Sequence, residues 1–342
     1  PARRRLEGRR GQRPMAPEGP QQAPAEAGPS QLPPAPTWEE VQAALLSCAA
    51  PVTERYRALF HARTAAPSPA AAAKLLVRAM PEQRDSVLLR HEAAYVLGQL
   101  GEPAAAGHLE AVALDEAEDD IVRHEAVEAL AALGDAGVAE LLGRLAEQTS
   151  SEALRHTCEL ALAGLQRAEA AGAEPGRPAC VCQYTSRDPA EGWPQATERD
   201  VPAAAEALDD ARRPLYERYE GLFTLRNVGG PAAAEALAAM LRRDRSSAVL
   251  RHEVAFVLGQ MEEQSAVEAL ATSLACREEH AMVRHEAAIA LGTVGTAAAE
   301  AALRAHEADP DALVSQSCEV ALATAAYWRA WEELEARVAA GG

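Results

Sequence analysis

From about residue 37 the chain alternates two kinds of apolar run, separated by short polar breaks. The first kind is rich in Ala and Leu: "AAAAKLLVRAM" (70–80), "PAAAGHLEAVAL" (103–114), "PAAAEALAAML" (231–241) and "SAVEALATSL" (265–274). The second kind opens on Arg-His-Glu: "LRHEAAYVLGQL" (89–100), "VRHEAVEALAALG" (122–134), "LRHEVAFVLGQM" (250–261) and "VRHEAAIALGTVG" (283–295). Ala and Leu lose least on entering a helix, so each repeat of the pattern predicts a pair of short helices. The first helix is expected to start at Trp38, because Thr37 and Glu40 have the spacing of a capping box. Gly98, Gly134, Gly259 and Gly292 stand near the ends of the second helices, where a left-handed cap is expected.

The pattern is duplicated. His91 and His124 are 33 residues apart, as are His252 and His285, and each first-half His precedes its counterpart by 161 residues. "ERYRALF" (54–60) answers "ERYEGLF" (217–223), and "CELALAGL" (158–165) answers "CEVALATA" (318–325). Helix pairs at this period predict an all-α fold, an α-solenoid of HEAT-like helix pairs in two pseudo-symmetric halves. The expected organisation is a disordered tail at 1–36, an N-terminal half at 37–167, a linker at 168–200 and a C-terminal half at 201–342. The tail is rich in Pro, Ala and Gln and buries too little to order itself. Residues 1–14 precede Met15, and the sequence leaves open whether they are native chain or translated upstream sequence, with a basic transit peptide as the functional reading. Cys180 and Cys182 fall in the linker, without the spacing of a strong metal or redox site.

Composition narrows the partners. The formal net charge of −18 argues against nucleic acid and suits a cationic partner, or simply solubility. The six cysteines form no CxxC pair, and a chain this long does not need disulfide staples, so a reducing, cytoplasmic setting is expected. No apolar run reaches the roughly 18 residues of a membrane span.

The repeated Arg-His-Glu carries the candidate chemistry. One such pair is ordinary: a His can bond a neighbouring repeat, and a Glu near a helix start is favoured by the dipole. Four copies in one repeat slot use four of the nine histidines. The next units carry His156-Thr157 and Gln316-Ser317 instead, so the fold itself does not require His-Glu there. His306-Glu307 lies out of register.

If the two halves face each other, four imidazoles and four carboxylates converge. Burying four carboxylates together demands cations, and two divalent metals meet that demand. Imidazole with carboxylate and no thiolate suits non-haem iron or manganese rather than structural zinc. Inward-facing Glu and His on helices hold two metals in the di-iron bundles. A ferrous pair points to dioxygen chemistry. A dinuclear hydrolase is the competing enzyme reading, although such sites lean more on Asp. A metal-free HEAT-repeat scaffold that binds a partner peptide is the non-enzyme alternative, and a bilin lyase or isomerase is a third.

The His-Glu quartet stands with "RYRALF" (55–60), "RYEGLFTLR" (218–226), "HEVAFVLGQM" (252–261), "MVRHEA" (282–287) and "YTSRDPA" (184–190). Between about Trp38 and Trp331 the chain resembles the deoxyhypusine hydroxylases. That resemblance implies a non-haem di-iron monooxygenase acting on the deoxyhypusine side chain of translation initiation factor 5A. It implies two Fe(II) per chain, dioxygen as co-substrate and an unidentified electron donor. It assigns His91, His124 and Glu125 to one iron and His252, His285 and Glu286 to the other. Glu92 and Glu253 are left for the cationic substrate, and Met282 takes the position of an apolar wall residue, with Ile121 as its counterpart. Spacing alone does not separate the four glutamates. The tail, "PACVCQ" (178–183) and the turn "HARTAAPSP" (61–69) depart from the duplicated pattern without touching these residues.

Overall fold

The computed structural model describes residues 35–134, 137–170, 172, 184 and 186–341. Most of the expected tail, the linker core and Cys180 with Cys182 lie outside the described residues. Among those described there are sixteen α-helices and no strand. The first half contains α1 (Trp38–Leu45), α2 (Val52–Ala65), α3 (Pro69–Ala79), α4 (Val87–Leu100), α5 (Ala106–Leu114), α6 (Asp120–Leu133), α7 (Val138–Gln148) and α8 (Glu152–Ala170). The second half repeats them as α9 (Val201–Asp209), α10 (Leu215–Val228), α11 (Gly230–Arg243), α12 (Ala248–Met261), α13 (Val267–Ala275), α14 (Ala281–Val294), α15 (Ala297–Arg304) and α16 (Ala312–Gly341). The capping box at Thr37 and Glu40 forms as its spacing predicts.

Even-numbered helices form an inner layer. In each half they pack in sequence, α2 on α4, α4 on α6 and α6 on α8, then α10 on α12, α12 on α14 and α14 on α16. The halves then meet at both ends, through α8 against α10 and α12, and α16 against α2 and α4. The solenoid is therefore closed into a ring of eight inner helices. Two pseudo-equivalent hydrogen bonds fasten the junctions: His156 with the N-cap hydroxyl of Ser247 (3.1 Å), and the N-cap hydroxyl of Ser86 donating to Gln316 (2.6 Å).

The glycines differ from expectation at three of four positions. Gly134 is a left-handed cap, but the other caps are Gly101, Glu262 and Gly295, three residues beyond Gly98, Gly259 and Gly292. Gly98 and Gly292 lie inside their helices, where neighbouring backbone comes too close for a side chain. A Cβ on Gly98 would sit 2.9 Å from Ala129 Cα, and one on Gly292 would sit 2.7 Å from Ala321 Cα. These glycines set how tightly α4 packs on α6, and α14 on α16.

Candidate metal centre

Each Arg-His-Glu occupies the same place on its helix. His91, His124, His252 and His285 are the fifth residues of α4, α6, α12 and α14, and the glutamates follow as the sixth. The four helix starts are fixed by caps from Ser86, Asp119, Ser247 and His280. The arginines anchor the turns. Arg90 forks onto Glu118 and Arg251 onto Glu279, each with both hydrogen bonds at 2.7–2.8 Å. Arg123 and Arg284 donate to the carbonyls of Ala113 and Leu274. The Arg is therefore structural, and it holds the following His-Glu in place.

Ring closure brings all four imidazoles into one nest. His91 meets His285 at 5.0 Å between ring centroids, His124 meets His252 at 5.4 Å, and His252 stacks on His285 at 5.9 Å. In the first half Glu125 Oε2 lies 3.3 Å from His91 Nε2 and 4.0 Å from His124 Nε2. In the second half Glu286 Oε2 lies 3.6 Å from His252 Nε2 and 3.5 Å from His285 Nε2. The two halves thus repeat one donor arrangement, with all eight His and Glu side chains buried. One ligand atom from each of His91, His124 and Glu125 fits within 4.8 Å of the others, and so does one from each of His91, His252 and His285.

The donor set fits a metal. Both ring nitrogens of His91 and of His252, Nε2 of His124 and of His285, and Oε1 of Glu286 are buried without a hydrogen-bond partner. Leaving so many polar atoms unsatisfied in one place is costly, whereas a divalent ion takes the lone pairs of neutral imidazole and carboxylate.

The electrostatics carry the same strain. Burial pushes His124 down to about 4, and pushes His252 and His285 well below the ordinary imidazole range, so these rings are neutral. For His91 burial acts the same way, but the carboxylates of Glu125 and Glu92 outweigh it and raise the ring to about 10. Burial, with Asp188 and Glu125 nearby, raises Glu253 to about 8, and burial beside Glu92 raises Glu286 well above the carboxylate range.

Glu92, Glu125, Glu253 and Glu286 also line a cavity, whose side walls include Tyr56, Tyr95 and Phe256. Tyr95 and Phe256, equivalent residues of the two halves, meet across it at 6.1 Å. On α4 and α12 the lining starts at His91 and His252 themselves, and on α6 and α14 at Glu125 and Glu286, each running toward the helix C-terminus. Met282 lies one turn N-terminal to His285, is 1% exposed, and is not among the lining side chains.

Sequence reading missed two parts of this cavity. Glu128 adds a further carboxylate from α6, while its counterpart on α14 is Ile289. The only trace in the sequence is that break in the duplication. Part of the linker also forms a strap along the cavity at Ser186–Pro189. Arg187 bonds Gln99 and the Ala132 carbonyl in the first half, and Asp188 pairs with the buried Arg226 of the second.

Fold and site together define a HEAT-repeat protein closed around a histidine–carboxylate centre suited to metal. The HEAT repeats family model matches residues 41–131 and 234–323, and the PBS lyase HEAT-like repeat model matches 122–148. Deoxyhypusine hydroxylase of Homo sapiens is 44% identical over 272 residues, covering 80% of this chain and 85% of the human protein. That of Mus musculus is 42% identical over 292 residues, covering 84% and 91%. The solved structure of human deoxyhypusine hydroxylase in complex with glycerol superposes with a TM-score of 0.77 at 42% identity, covering 84% of this chain and 96% of that one. The chain belongs to the deoxyhypusine hydroxylase family.

Proposed function

We propose that this chain is a monooxygenase that hydroxylates the deoxyhypusine side chain of translation initiation factor 5A. His91, His124 and Glu125 hold one Fe(II), and His252, His285 and Glu286 hold the other. The reaction balances as one C–H bond, one dioxygen, two electrons and two protons giving C–OH and water, with a separate donor supplying the electrons. When bound, the iron pair supplies the dioxygen activation.

The protein's own residues supply the rest. Glu92 and Glu253, outside both ligand sets, are buried carboxylates on the cavity wall and face the ammonium groups of the substrate arm. The Tyr95–Phe256 pair gives its methylenes an apolar flank. The Ser186–Pro189 strap limits water beside them. The family's activity, with this chain's spare carboxylates beside a donor-rich nest, supports the reading. The observation that carries it is the repeated His-His-Glu arrangement with its unpartnered, buried imidazole nitrogens.

Anaerobic loading with ferrous iron, then desalting, is expected to leave about two irons per chain, as in the di-iron bundles. His91→Ala and His285→Ala should lose most of it, and loaded wild type should add one oxygen atom to deoxyhypusine-bearing substrate. A wild type that retains little iron would favour the metal-free scaffold instead.

A further inference from the structure

The units that follow the His-Glu pairs carry a hydroxyl where the ligand slot recurs. Thr157 lies 33 residues after His124, and Ser317 lies 32 residues after His285. Its Oγ1 is 2.7 Å from His124 Nδ1. In the other half Ser317 Oγ is 2.9 Å from His285 Nδ1. All four residues are fully buried.

The direction of these bonds follows from the proton count. Each hydroxyl has one proton. Thr157 donates it to the Ala153 carbonyl at 3.0 Å, and Ser317 donates it to the Leu313 carbonyl at 2.6 Å. What each oxygen offers the ring is a lone pair, so Nδ1 carries the imidazole proton. Glu128 is the other acceptor near His124 Nδ1, at 3.8 Å, beyond hydrogen-bond range. Nε2 of both rings then keeps its lone pair, and those are the nitrogens left without a partner beside Glu125 and Glu286. First-unit rings have no such support, since Nδ1 of His91 and of His252 lacks a hydrogen-bond partner.

We propose that Thr157 and Ser317 are positioning residues of the metal centre: each hydroxyl locks a second-unit imidazole in its Nδ1–H tautomer and aims Nε2 at the ion. This rests on the metal-centre reading above. The two-residue signatures acquire a shared purpose. His156 and Gln316 reach across the junctions to the caps of α12 and α4, which bear His252 and His91, while the next residue in each signature orients the second-unit ring.

The test uses the full chain with ¹⁵N-labelled histidine, wild type beside Thr157→Val, Ser317→Ala, Thr157→Ser and Ser317→Thr. Long-range ¹H–¹⁵N spectra of the metal-free protein should show His124 and His285 as neutral Nδ1–H tautomers. Thr157→Val and Ser317→Ala should shift the tautomer signal of the ring each one faces. They should also weaken ferrous iron binding roughly 10–100-fold, the usual cost of removing a group that orients a ligand. Thr157→Ser and Ser317→Thr should retain both properties, which a role in packing alone does not predict. Nε2–H tautomers in wild type, or unchanged iron affinity in Thr157→Val and Ser317→Ala, would overturn the proposal while the metal centre stood. A wild type that takes up no iron would overturn the metal-centre reading and this inference with it.

Discussion

His91 and His285 come from opposite halves of the chain, yet their rings meet edge to face at 5.0 Å, closer than either lies to His252. The two donor sets are therefore not separate sites that happen to share a molecule. Each half supplies a wall of the other's pocket, and the packing of α4 and α14 around the ring decides whether the nest exists.

The glycines on the inner helices give the most direct check of that packing. Gly292→Ala forces a methyl against the Ala321 backbone, and Gly98→Ala does the same at Ala129. Overpacking of this kind costs about 1–3 kcal/mol. Gly143, inside α7, has nothing within 4 Å of its missing Cβ, so Gly143→Ala should instead stabilise by about 0.5–1 kcal/mol. Thermal melts of the three variants should separate by sign; a stabilised Gly292→Ala would mean that the helices are not held this close.

Glu128 makes the cavity unequal at its two ends, since Ile289 stands in the matching place. A cationic arm should be drawn toward the α6 side. Glu128→Gln is expected to raise KM about 10-fold, the worth of one charge-assisted hydrogen bond, with little change in iron content. Equal KM values in wild type and Glu128→Gln would leave Glu128 without a part in recognition.

Acid should loosen the outer ties of the ring. Burial pushes Asp244 up, but Arg218 and Ser246 outweigh it and hold the carboxyl below its ordinary range. Glu279 behaves likewise, with Arg251 as the stronger influence. A carboxyl whose folded pKa is depressed contributes stability above its unfolded value, near pH 4, and loses it as pH falls through the folded one. The melting temperature of the metal-free protein should therefore drop between about pH 5 and pH 3. Asp244→Asn should melt lower at neutral pH and show a shallower acid drop; an unchanged slope would dismiss this pair as a contributor.

Much of the fold was legible because it is local. Ala and Leu at helical spacing, the Thr37–Glu40 box and the 33-residue step from His91 to His124 all act within one or two helices. The four histidines and four glutamates were legible because duplication printed them twice. Ring closure was not, since the contact between Ser86 and Gln316 spans 230 residues and leaves no periodic trace. Gly98 and Gly292 misled because a glycine late in an apolar run looks the same whether it caps a helix or admits a neighbour. Thr157 and Ser317 were harder still. In sequence they read as the place where the motif stops, and only the ring nitrogens opposite give them meaning.

Closure of the inner layer also fixes the copy number of the repeat. An open solenoid can gain or lose a unit at its end, because each unit answers only to its neighbours. Here α16 must land on α2 and α4, and α8 on α10 and α12. One added helix pair would carry both seams out of register and separate His91 from His285. A lineage of such chains can drift in its loops, its tail and its linker, but its circumference is not free to grow.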